Sequence, residues 1–154
     1  MKQPPAMDKD KLNAFLAIAF PLFRDDYRIL EVSREYITTK LFVTERHLRP
    51  GATISGPAMF ALADVTMYCL VLANIGPKPL TVTTNCTINF LSKPKQNVDL
   101  VADGKLLKIG RRLATGTISI RAEGVMKPLA HATMTYAIPP TGSVADESID
   151  VPAN

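Results

Sequence analysis

Between Pro57 and Ile75 the chain is nearly all hydrocarbon: Pro-Ala-Met-Phe-Ala-Leu-Ala-Asp-Val-Thr-Met-Tyr-Cys-Leu-Val-Leu-Ala-Asn-Ile. A helix that is apolar on most sides survives in water only if other structure wraps it. The run approaches the length of a membrane span. Asp64, Thr66 and Asn74 interrupt it, however, and alternating segments follow, so no membrane is expected as a partner. Ser55-Gly56-Pro57 opens the helix. Pro57 suits its first position, which leaves the Gly56 N–H free at the positive end of the helix dipole, where an anion or a developing oxyanion is stabilised. Asp64 is the only carboxylate in the run and lies two turns further on. A lone acid among Leu62, Ala63 and Val65 is costly unless paired or used. An oxyanion donor and a buried acid on one helix point to acyl chemistry.

The rest of the chain supplies the wrapping. Asp8 caps a first helix, about residues 8–21, with Leu12, Phe15, Leu16, Ala19 and Phe20 on one face. Strands are expected at Tyr27–Ser33 and Glu35–Thr44. The loop His47–Ser55 then leads into the long helix, which Gly76-Pro77 closes. A meander follows, at about Leu80–Leu91, Asn97–Leu107, Leu113–Ala122 and Pro128–Ile138, with turn residues at each connection. Period-two alternation puts Leu80, Val82, Thr84, Cys86, Ile88 and Phe90 on one face and Thr81, Thr83, Asn85, Thr87 and Asn89 on the other. In the last strand Ala130, Ala132, Met134, Tyr136 and Ile138 face the core. Residues 1–139 therefore read as a single domain, and 140–154 as an aperiodic, disordered tail.

Composition narrows the function classes. The 154 residues suffice for one domain with a real core. A net charge of +4 is too mild to imply nucleic acid, and it suits a polyanionic small ligand. Cys69 and Cys86 read as reduced core thiols rather than a disulfide framework. His47 and His131 stand at no metal-ligand spacing, so neither a metal nor a resident cofactor is expected. The N-terminal segment contains no apolar stretch of signal-peptide type, and a cytoplasmic location is expected.

Ser55-Gly56-Pro57 with Phe60-Ala-Leu-Ala-Asp64, Thr87-Ile-Asn-Phe-Leu91 with Pro94, Gly110-Arg111, and Ala130-His-Ala-Thr-Met-Thr-Tyr136 occur in the order found in hotdog-fold acyl-CoA thioesterases. Across about residues 40–138 the chain resembles the PaaI-like, phenylacetate-degradation-related branch. The resemblance implies an α+β hotdog fold, in which an antiparallel sheet of five to six strands wraps a long central helix. It also implies hydrolysis of a small or medium, possibly aryl, acyl-CoA, with coenzyme A present only as part of the substrate. Carried over residue by residue, the Gly56 N–H polarises the thioester carbonyl and Asp64 is general base or nucleophile. Thr83 or Thr84 positions the water; alignment favours either, and strand parity favours Thr84. Two positions depart from the family pattern. Ser55-Gly56-Pro57 stands where His-Gly-Gly is common, and Arg49 stands where an amide side chain precedes the acid by fifteen residues. Arg49 has three readings: a donor to the carbonyl, a partner that quenches Asp64, or a selector of acidic substrates.

Helix geometry adds a constraint independent of the family. Eight residues separate Gly56 from Asp64, about 12 Å along the axis at 1.5 Å per residue. One thioester carbon cannot reach both, so the two must come from different subunits of at least a homodimer, and the family habit extends this to a homotetramer. Tyr68, on the Asp64 face, is expected to bond the acid or to line the acyl pocket with Met59, Phe60 and Met67. Lys93, Lys95, Lys108, Arg111 and Arg112, at turns with Gly110, are expected to gather around the coenzyme A phosphates. The alternatives are a non-catalytic acyl-CoA-binding hotdog protein and a hotdog dehydratase or hydratase, which would want a histidine beside the acid.

Overall fold

In the computed structural model, residues 2–152 are described. Helix α1 spans Lys9–Ala19, capped by the Asp8 carboxylate, which accepts from the Lys11 N–H at 2.9 Å. A 3-10 turn, Pro21–Phe23, follows. Strands β1 (Tyr27–Val32) and β2 (Tyr36–Leu41) form a hairpin. Two-residue strands β3 (Leu48–Arg49) and β4 (Thr53–Ile54) pair within the expected loop. Helix α2 covers Gly56–Ile75 and ends at Gly76, whose φ of 90° only glycine adopts easily. Strands β5 (Val82–Phe90), β6 (Leu100–Ile109), β7 (Leu113–Ala122) and β8 (Pro128–Ala137) complete the fold.

The six long strands make one antiparallel sheet in the order β1-β2-β6-β7-β8-β5, curled around α2. The expected wrapped-helix, α+β architecture is therefore the observed one. Helix α2 is long and apolar enough to cross a membrane, but here most of it is buried inside the fold. The sheet approaches it closely because small residues line the facing rows: Ala102 and Gly104 on β6, Ala114 and Gly116 on β7, Ala130 and Ala132 on β8. A Cβ on Gly116 would lie 2.7 Å from the Lys105 carbonyl and 2.8 Å from Met67 Sδ. Met67 is accordingly sealed beneath β7, and the expectation that it lines an acyl pocket is corrected.

One stripe of α2 stays uncovered: Pro57, Phe60, Ala61, Asp64 and Val65 are exposed or half-buried at helical spacing. Beside it runs β5, an edge strand with only β8 as neighbour.

The expectation for the tail is also corrected. Asp146 accepts from the Gly142 N–H at 3.0 Å and pairs with Lys78 at 3.0 Å, and these contacts hold its carboxyl below the usual range. The Ile149 N–H donates to the Pro77 carbonyl, and Ile149 and Val151 pack on the core. Composition hid this because the anchors are single residues rather than a periodic pattern. Residues 1, 153 and 154, within the expected domain and tail, lie outside the described residues.

Gly116→Ala should lower stability by about 1–3 kcal/mol, because a backbone carbonyl cannot swing aside as a side chain can. A urea midpoint unchanged from wild type would contradict that account of the helix–sheet spacing.

Candidate active site

Asp64 sits midway along the uncovered stripe, half-buried rather than enclosed. Two hydroxyls reach the same carboxylate oxygen: Thr83 Oγ1 donates to Oδ1 at 2.7 Å, and the Tyr136 hydroxyl also donates to Oδ1. Tyr136 also lies 2.8 Å from the Asp64 backbone carbonyl. Oδ2 has no partner among the described residues.

Strand parity put Thr84 toward the helix, and the structure corrects this. Thr83 pairs with Tyr136 and Asn85 with Thr135, so a bulge at Thr84 breaks the register of β5. Before the bulge, Thr81 is buried and Thr83, though exposed, faces Asp64, while Leu80 and Val82 are half-exposed; after it, Cys86 and Ile88 turn toward the core. Thr84 donates instead to the Thr135 carbonyl at 3.2 Å. Tyr136, read from the sequence as a core residue, is the partner of Asp64 that sequence reasoning missed. Its inward parity was visible, but no pattern ties it to position 64.

Two hollows flank the acid. One, of about 200 Å³, lies between the end of α1 and α2 and is lined by Leu16, Phe20, Phe23, Tyr27, Ala61 and Val65. The other, of about 430 Å³, lies toward β5 and is lined by Phe20, Val65, Tyr68, Pro79, Thr81, Val82, Thr83 and Tyr136. Neither lining contains a cation. Tyr68 thus lines the site, but its hydroxyl donates to the Pro79 carbonyl at 3.0 Å rather than to Asp64. Burial raises the Tyr27 phenol to about 12, with the charges of Asp26 and Asp64 adding to the effect. Burial first, and then the Asp64 charge, pushes the Tyr136 phenol well up, so it remains a donor.

Gly56 occupies a separate groove of about 390 Å³ with Arg49, Thr53, Ile54, Met59, Phe90, Leu91, Ser92, Lys93 and Pro94. Gly56, not Pro57, is the first residue of α2. Ser55 serves as the cap, its Oγ accepting from the Ala58 N–H at 3.2 Å, so it is engaged by the helix and is absent from the groove lining. Proline at 57 has no N–H, and the Met59 N–H is bonded to the Ser55 carbonyl. The Gly56 N–H therefore remains without an acceptor in the chain among the described residues. A tight turn through Gly51 (φ 92°) and Ala52 (φ 56°) presents Arg49, and Gln96 donates to the Gly51 carbonyl at 3.3 Å. Arg49 forms no ion pair with Asp64 within the chain; the two line different cavities.

The expected basic cluster divides in two. Lys93 lines the Gly56 groove, with exposed Lys95 two residues away. The turn carrying Lys108, Gly110, Arg111 and Arg112 adjoins Leu113, which is in register with Ala137 and, through it, with Val82. That is the Asp64 end of the sheet, about 27 Å along β5 from Phe90 at about 3.4 Å per residue. Phe60 is exposed on the uncovered stripe and lines neither hollow nor groove. Among the described residues no three His, Cys, Asp or Glu side chains converge where a metal ion would sit.

Residues 51–129, half of the chain, match the sequence profile of the thioesterase superfamily. The chain belongs to the thioesterase superfamily. A member assigned as a thioesterase in a Silicibacter species is 49% identical, with 88% of this chain and 94% of that one covered at a TM-score of 0.83. A hypothetical thioesterase of Streptococcus pneumoniae solved with coenzyme A is 20% identical, covering 87% and 98% at a TM-score of 0.70. A variant of the phenylacetic acid degradation protein PaaI from Thermus thermophilus is 22% identical, covering 76% and 97% at 0.66. The last two likenesses are of fold. No curated protein matches the sequence.

The raised phenols give a pH prediction. Folding holds Tyr27, Tyr68 and Tyr136 neutral, so their contribution to stability is complete below the free-phenol value of 10.0; that of Tyr27 is lost as pH climbs through about 12, and those of the further-raised Tyr68 and Tyr136 at still higher pH. Phenolate absorbance of this superfamily member should therefore lag behind that of the urea-unfolded chain above pH 10. Superimposable titration curves would contradict the burial described for these rings.

Proposed function

We propose that this protein hydrolyses an acyl-CoA thioester to the free acid and coenzyme A, at two equivalent sites built across a homodimer. The observation that carries the proposal is the separation of the two half-sites. The unpaired Gly56 N–H lies in one groove, and the acid, already held by two hydroxyls, lies in another. A two-fold pairing with the uncovered stripes of α2 side by side would bring Gly56 of one protomer to Asp64 of its partner. The same operation would carry Lys93 and Lys95 toward the partner's Arg111 and Arg112. That rejoins the divided basic residues around a polyanion such as the coenzyme A phosphates. The unpaired edge of β5 and the exposed Phe60, Phe90 and Leu91 support burial of this face. A second pairing of dimers into a homotetramer is part of the proposal.

In the reaction, the thioester carbonyl accepts from the Gly56 N–H at the positive end of α2, with Arg49 beside it. Water gives a proton to Asp64 while its oxygen bonds to the carbonyl carbon, and the tetrahedral oxyanion stays on Gly56. Collapse breaks the C–S bond, coenzyme A leaves as thiolate, and the proton on Asp64 returns to solvent or to the sulfur. The acyl group would occupy the hollows beside Asp64. With no cation in either lining, an acyl tail bearing a carboxylate would face Asp64 without compensation, so an uncharged alkyl or aryl group fits. Phe20 and Phe23 would wall its far end.

The test is thiol release from a panel of butyryl-, hexanoyl-, octanoyl-, phenylacetyl-, succinyl- and glutaryl-CoA. Wild type should prefer the uncharged esters, and Asp64→Asn should lower kcat by about 10²–10⁴-fold. Gly56→Pro removes the N–H where Ser55 is already extended (ψ 153°). Mixing it with Asp64→Asn should restore about a quarter of wild-type activity, since half the dimers are mixed and each has one intact site of two. A lack of recovery would refute the shared site. Tight ester binding with no turnover would instead favour a non-catalytic binder.

A further inference from the structure

We infer that Tyr136 is a positioning residue which, with Thr83, pins Asp64 through Oδ1 so that Oδ2 alone meets the reacting water or carbonyl carbon. The inference rests on the thioesterase reading above but concerns which atom acts and what aims it. Both hydroxyl donors converge on Oδ1, and Oδ2 is left without a partner. The two donors come from adjacent strands in direct register, Thr83 on β5 and Tyr136 on β8. That register exists only because the bulge at Thr84 shifts the first residues of β5 by one position.

The arrangement limits what each hydroxyl can do. The Tyr136 ring is 2% exposed, and its pocket keeps the phenol protonated, so it acts as a fixed donor. Its single proton serves the Asp64 side chain and lies close to the backbone carbonyl of the same residue. The phenol thereby ties the carboxylate to the helix that carries it. A carboxylate on a single-bonded stem otherwise rotates freely; two donors on one oxygen fix both its position and its plane. Thr83, having given its proton to Oδ1, meets water only as an acceptor. Its part is thus to hold the acid, and to orient the water secondarily. Whether Asp64 acts as base or nucleophile, the same oxygen is presented: Oδ2 either takes the proton from water or forms the bond to carbon.

The titratable groups facing the acid are Tyr136 from β8, Tyr27 from β1 and Cys86 from β5, all neutral when protonated. No lysine, arginine or histidine lines either hollow. The two hydroxyls are therefore the polar side chains that hold the carboxylate in place.

The experiment compares wild type with Tyr136→Phe, Thr83→Val and the double variant. Loss of one charge-assisted hydrogen bond should lower kcat by about 10- to 100-fold. KM should stay within about two-fold, because neither hydroxyl is needed to bind the ester. The double variant should lose less than the product of the two single losses, since both donors serve one oxygen. An unchanged kcat, even alongside a lower melting temperature, would make Tyr136 a core residue only and overturn the inference. A readout independent of turnover keeps this apart from failure of the thioesterase reading. In protein labelled with ¹³C at aspartate carboxyls, the Asp64 carboxyl chemical shift at a fixed neutral pH should differ between Tyr136→Phe and wild type, because one of the two donors to Oδ1 is gone. If no ester is hydrolysed but that shift appears, the enzyme reading fails and the positioning stands. If esters are hydrolysed and the shift is absent, the positioning fails alone.

Discussion

The molecule is organised by the need to keep water off most of one helix while leaving a single stripe of it open. Burial of apolar surface is the dominant favourable contribution to folding, and α2, with most of its side chains buried, sets the composition of what packs around it. The sheet can curl close enough only where it offers glycine and alanine, as at Gly104 and Gly116. Helix α1 closes one flank with Leu12, Phe15 and Leu16. What remains uncovered is a narrow apolar strip with one carboxylate in it. The candidate site occupies the part of the helix that the fold does not bury.

From this follows the separation of the two half-sites. Gly56 and Asp64 belong to the same helix, but α2 is rigid and spaces them two turns apart. No loop movement in a single chain can bring them together, because the intervening helix would have to unwind. The groups around each are also different in kind. The Gly56 end gathers Arg49 and Lys93 and is suited to anions. The Asp64 end gathers aromatic and aliphatic side chains and is suited to hydrocarbon. In the proposed dimer, a molecule with a charged head and an apolar tail would be matched by one end of each of two chains.

Much of this was legible in the sequence, because it depends on periodicity and on local chemistry. The cap at Asp8, the stop at Gly76, the six long strands and the outlying character of Asp64 are all properties of neighbouring residues. The misread features depend on a single irregularity or on contacts between distant positions. A period-two count through 80–90 cannot detect one extra residue, so Thr83 and Thr84 exchanged faces. Tyr136 looked like any inward-facing strand residue, since its bond to Asp64 spans seventy-two positions. The basic residues seemed to cluster because they share turns, whereas strand register sends Arg111 and Lys93 to opposite ends of the sheet. The tail looked disordered because Lys78 and Asp146 anchor it singly.

The bulge at Thr84 has a consequence for how this strand can change over evolutionary time. It divides β5 into two segments whose faces are set independently. Thr83 answers to the carboxylate, and Cys86 and Ile88 answer to the hydrophobic interior. A substitution that improves packing in the second segment leaves the aim of the first untouched. Deleting one residue at the junction would instead merge the segments and turn Thr83 away from Asp64. The edge strand thus tolerates drift in its parts but not a change in its length.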